Sequence, residues 1–166
     1  MPAFAAASRP RRRLLAAALA VAIPLAAASD AHAYATPVGG AWTFGNLFDD
    51  TRRGALTLSK AGTQVTKLVA VPGERSVDEC GGGAIRMTSR PKIRSWSSVN
   101  GRYAVASKPG SLFRPTPAWF TRGGRRVRGK VMLLWDHDGK LVDTGQIHLP
   151  GDCRIDFFAH ARGGRR

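Results

Sequence analysis

Downstream of residue 40, apolar and polar residues alternate with a period of two in one stretch after another, and no stretch sustains the 3.6-residue period of an amphipathic helix. Clusters of Gly, Pro, Asn and Asp separate these stretches. The pattern predicts about nine short strands, at residues 41–46, 55–59, 64–71, 84–88, 92–96, 102–106, 127–135, 140–148 and 153–160. Short strands at such spacing imply an all-β domain, built as an antiparallel β-sandwich or a small barrel.

Some local features sharpen this picture. Val131, Leu133 and Trp135 fall on one face of a strand, and Asp138-Gly139 then turns the chain back into residues 140–148, a strong hairpin signal. Gly145 inside the return strand predicts a bulge. In the last strand Cys153, Ile155, Phe157 and Ala159 share the face expected to meet the core. Residues 108–124, with several prolines and glycines around Phe113, Trp119 and Phe120, read as a long ordered loop pinned to the core by its aromatics.

The first 33 residues have a different pattern. A basic segment containing Arg9, Arg11, Arg12 and Arg13 precedes an apolar run over residues 14–28, which ends in Ala31-His32-Ala33. These are the three parts of a secretory signal, with cleavage expected before Tyr34. The run is shorter than the roughly 20 apolar residues a membrane-spanning helix needs. Arg11-Arg12-Arg13-Leu14-Leu15 also approaches a twin-arginine export signal, although Pro10 and Ala16 depart from that motif. The expected organisation is a signal peptide at 1–33, one secreted β-domain at 34–162, and a disordered basic tail at 163–166.

The whole chain carries 26 Lys+Arg against 11 Asp+Glu. Removing the four arginines and one aspartate of the leader leaves 22 basic and 10 acidic residues, a net charge of +12. The basicity therefore belongs to the mature domain. Arg126, Arg128 and Lys130 alternate with Val127, Gly129 and Val131, so a strand here lines three cations along one face about 6.6 Å apart. Arg90, Lys92 and Arg94 repeat the arrangement, and Arg122 and Arg125 lie just before the first set. If the strands share a sheet, the two stripes form one patch for phosphates or carboxylates along a polymer, with salt-dependent affinity. The bland alternative is a solvated face. Trp96, Tyr103 and Trp119 lie near these runs and are equally suited to stacking on a ligand or to filling a core.

Cys80 and Cys153 are the only cysteines, so an exported chain allows a single disulfide pairing. Catalytic signatures are lacking: there is no Gly-x-Ser-x-Gly, and both cysteines are expected to be oxidised. Asp136-His137-Asp138 reads as a hairpin tip rather than a ligand set, and neither a metal site nor a cofactor is expected.

Cys80, Asn100-Gly101-Arg102-Tyr103, Val127-x-Gly129-x-Val131, Thr144-Gly145, Cys153 and Phe158-Ala159-His160-Ala161-Arg162 follow one another in an order similar to that of the small secreted single-disulfide β-proteins of actinobacteria, whose function is unknown. That resemblance implies a secreted β-sandwich with one disulfide and carries over no catalytic residue. The expectation is a non-enzymatic binding or structural module that meets an anionic extracellular or cell-wall polysaccharide, or less readily nucleic acid, through its basic face. The alternatives are a small extracellular hydrolase built on His148, Asp156 and His160, and a protein-binding module such as a protease inhibitor displaying residues 108–124.

Overall fold

The computed structural model describes residues 34–45, 51–96, 101–107 and 112–162. The leader at 1–33 and the tail at 163–166 lie outside the described residues. The strands are β1 (Gly40–Gly45), β2 (Thr51–Leu58), β3 (Val65–Pro72), β4 (Ile85–Met87), β5 (Arg94–Trp96), β6 (Arg102–Val105), β7 (Thr116–Arg122), β8 (Arg125–Trp135), β9 (Leu141–His148) and β10 (Arg154–Ala161). A single helical turn, α1 (Val77–Cys80), follows β3.

Each of β1, β2, β3, β4, β7, β8, β9 and β10 pairs antiparallel with the next, and β10 pairs back with β1. The result is a closed antiparallel barrel of eight strands, the second of the two architectures the alternation allows. The β5–β6 hairpin is an insertion, attached where Ala104 and Val105 meet Leu134 and Leu133.

Period-two alternation explains the interior. Leu56 and Leu58 of β2, Leu68 and Ala70 of β3, Val131, Leu133 and Trp135 of β8, and Ile155, Phe157 and Ala159 of β10 are buried. Trp42 meets Trp135 edge to face, with ring centroids 6.4 Å apart. Phe44 and Phe157 stack at 4.3 Å. That stack needs glycine beneath it. A Cβ at Gly54 would stand 1.9 Å from the Phe44 ring, and one at Gly145 would stand 2.4 Å from the Phe157 ring. Gly145 is therefore a pad for an aromatic ring. The expected bulge lies nearby in the same strand: Leu133 and Leu134 face Gly145 and Thr144, but Trp135 faces Val142, so Asp143 is the extra residue.

The segment expected to be a long loop contains β7. Phe120 is fully buried in the barrel wall and Phe113 packs on Trp96, as pinning aromatics should, but Trp119 points outward. Pro117 is tolerated because β4 pairs only with Phe120 and Thr121, which leaves that edge of β7 without a ladder partner at Pro117. Gly123 and Gly124, with φ of 54° and 75°, make the tight turn into β8.

Cys80 at the end of α1 is bonded to Cys153 just before β10, across a sequence separation of 73. Both cysteines are buried. On the chain-entropy account a loop of this length contributes about 4 kcal/mol. Replacing both cysteines by serine is expected to lower the unfolding free energy by about that amount. Urea unfolding of the oxidised protein and the double variant, compared at equal slope, measures it.

Candidate functional site

The basic stripe lies on the outer wall of β8. Arg126, Arg128 and Lys130 are exposed, and Val127, Gly129 and Val131 between them face inward. Strand register adds neighbours that sequence spacing does not reveal. Arg86 of β4 pairs with Thr121, which pairs with Arg126. Trp119 pairs with Arg128, and Pro117 with Lys130. On the other side Lys130 pairs with His148, which pairs with Arg154. The outer wall thus carries Arg86, Arg126, Arg128, Lys130 and Arg154, although Arg154 is engaged by Asp156 at 2.8 and 3.2 Å. Arg86 and Arg154 are separated from the stripe in sequence, so only the sheet could bring them in.

Two residues of the expected set leave the stripe. Arg122 and Arg125 pair with each other across the Gly123-Gly124 turn, and the pleat turns them to the face opposite Arg126. Arg122 donates a hydrogen bond to the carbonyl of Glu79 at 3.2 Å and so ties β7 to α1. The second set is divided between a connection and a strand. Arg90 and Lys92 are in the connection after β4, where Gln64 donates to the Arg90 carbonyl and Lys92 bridges Gln64. Arg94 faces Ala104, which faces Leu134, about 13 Å along β8 from Lys130, the nearer end of the first stripe. Between the two sets lies an apolar patch in which Trp96 and Phe113 pack on Met132, Leu134 and Ala104. Arg94 therefore shares a sheet with the first stripe but is set off from it by this apolar patch.

Trp119 is 41 % exposed, and the Arg126 guanidinium sits over its ring at 4.4 Å from the centroid. Such a pair is worth about 0.5–1 kcal/mol at an exposed site. The main chain under Trp119 is fixed from the β4 side: its N–H donates to the Ser89 hydroxyl at 2.6 Å, and its carbonyl accepts from the Thr88 N–H at 2.8 Å. Beside the stripe is an open cleft of about 410 Å³. Arg128, Gly129 and Lys130 form its β8 side, with Pro117, His148, Leu149 and Pro150 around them. Trp96 and Tyr103, the other aromatics considered for stacking, lie elsewhere: Trp96 packs on Phe113, and the Tyr103 hydroxyl accepts a hydrogen bond from Thr36.

The His/Asp constellation is also on the outer face, where Asp156 acts on His148 through its charge and each member makes further contacts. Asp156 holds Arg154, His148 Nε2 lies 3.4 Å from the Gln146 side-chain oxygen, and the His160 ring packs edge-on against Phe158. At the β8–β9 tip, Asp136 accepts from the Lys140 and Leu141 N–H groups, the hairpin-tip role expected for it. No helix among the described residues is long and apolar enough to cross a membrane.

No protein-family model matches the sequence, and no curated protein or solved structure shows significant similarity to it.

His148 gives the site a titratable group. Burial, then the charge of Arg154, and to a lesser extent Lys130, push its pKa below the ordinary 6.5, against an opposing pull from Asp156. The unfolded chain therefore binds this proton at a higher pH than the folded one. Stability contributed here is present above about pH 6.5 and is lost as the pH falls toward the folded pKa. The His148→Gln variant is expected to show a flatter decline of unfolding free energy between pH 7 and 5 than the parent protein, as read by urea unfolding across that range.

Proposed function

We propose that this protein is a secreted, non-enzymatic binding module that holds anionic extracellular polysaccharide on the outer wall formed by β7 and β8. The observation that carries the reading is Trp119: a large indole left exposed, topped by Arg126 and set in register with Arg128. Cations alone aid solubility, but an exposed aromatic among aligned cations is an arrangement suited to gripping a charged chain. The buried Cys80–Cys153 disulfide supports an oxidising, extracytoplasmic setting, as does the signal pattern at residues 1–33. The outward cations act together. Each one that neutralises an anionic group on the polymer releases a condensed counterion, so binding weakens steeply with salt.

The test is retention of the purified, oxidised domain on isolated cell envelopes, an acidic-polysaccharide resin and DNA across a salt series. The triple variant Arg126→Ser, Arg128→Ser, Lys130→Ser is expected to elute at much lower salt and to reduce the slope of log affinity against log salt by about two to three. The melting temperature is expected to stay unchanged within a few degrees. Unchanged retention of the triple variant would reduce the stripe to a solvated face.

A further inference from the structure

The cleft beside the stripe differs chemically from a flat cationic surface. Arg128 and Lys130 offer only hydrogen-bond donors. His148, in register with Lys130, has its Nε2 turned toward Gln146 at 3.4 Å. Of the remaining side chains, all aliphatic, Pro117 and Pro150 are exposed and Leu149 is buried in the core. A matching ligand has an anionic or oxygen-rich edge and an apolar ring face.

Size and shape narrow the class. At about 410 Å³ the cleft falls at the small end of ligand sites and has room for one monomer of a polymer, not a run of them. A nucleobase binds by stacking on an aromatic or guanidinium plane. The aromatic nearby, Trp119, lies outside the cleft lining and has Arg126 over its ring, which leaves the Arg128 guanidinium as the one such plane in the lining. A pyranose presents ring C–H groups on one face and hydroxyls with a charged substituent at its edge, which suits aliphatic walls opposite two cations.

We infer that this cleft is a subsite for a single anionic pyranose, its carboxylate or sulfate held by Arg128 and Lys130 and its ring lying on the exposed Pro117 and Pro150. This rests on the reading of the β7–β8 wall as a polysaccharide-binding surface and names the unit that surface selects.

The experiment is an amide NMR titration of the oxidised mature protein with five probes: a glucuronate-containing disaccharide, a sulfated disaccharide, neutral cellobiose, inorganic phosphate and a short oligothymidylate. Saturable shifts at Gly129, Lys130, His148 and Leu149 are expected with a charged disaccharide, at concentrations about tenfold below those needed for cellobiose or phosphate. Whichever charged disaccharide acts at the lower concentration identifies the substituent. The double variant Pro117→Ser, Pro150→Ser keeps the charge. It is expected to weaken the disaccharide about tenfold by removing apolar surface, while its salt slope on the polymer stays that of the parent. Equal response to phosphate and disaccharide, preference for oligothymidylate, or shifts confined to Trp119 and Arg126 would overturn the subsite. If the polymer is still retained in that case, the basic-face reading stands alone. Loss of retention on every polymer would remove both.

Discussion

The pleat of one long strand governs both the packing and the surface chemistry. β8 spans eleven residues and passes through two environments. Over residues 131–135 both faces are buried: Val131, Leu133 and Trp135 point into the barrel, and Met132 and Leu134 lie under Trp96 and Phe113. Toward its start the outward positions carry Arg126, Arg128 and Lys130, all exposed. Each fully buried large apolar side chain contributes about 1.5–3 kcal/mol. Two exposed like charges at the two-residue spacing repel by about 0.6 kcal/mol in water and less in salt. The apolar half of the strand therefore anchors the backbone from which the cationic side chains project.

The same barrel leaves its cations and Trp119 on the outside. Among the described residues the interior is occupied by its own side chains, with Trp42 against Trp135 and the Phe44–Phe157 stack seated on Gly54 and Gly145. At the Cys153 end the disulfide ties α1 to the start of β10, and Arg122 ties α1 to β7. These links, together with the Trp119 N–H donated to the Ser89 hydroxyl and the Thr88 N–H donated to the Trp119 carbonyl, position the outer wall without using its outward cations.

Where alternation was unbroken, the strands could be read directly, as in residues 127–135 and 153–160, and the disulfide followed from there being two cysteines. β7 was hidden by Pro115 and Pro117, which read as loop punctuation; their tolerance depends on β4 being too short to pair there, a tertiary fact. The Gly123-Gly124 turn was the available signal for a hairpin, because two adjacent residues at positive φ suit the twist of the flanking strands. Gly145 was visible as special, but its reason was a ring contributed by another strand. Part of the site was equally unreadable. Arg86 and Arg154 join the stripe through register across β7 and β9, and Arg122 and Arg125 leave it because the pleat of a tight hairpin opposes them to Arg126.

The arginines of β8 also admit a purely structural role. Pairing with β9 stops at Lys130, so residues 125–129 have β7 as their one strand partner and present an open edge on the other side. Charged side chains on such an edge discourage pairing with a second chain. That role requires charge along the edge and nothing more. It gives no reason for a tryptophan to stand 41 % exposed in the adjacent strand, nor for the exposed Pro117 and Pro150 to line a cleft with Arg128 and Lys130. An exposed indole is itself an association hazard on an unguarded surface, and Arg126 over its ring lowers that hazard while leaving much of the indole accessible. Edge protection and the proposed binding therefore call on the same cations, and Trp119 with its neighbouring cleft is the part that edge protection leaves unexplained.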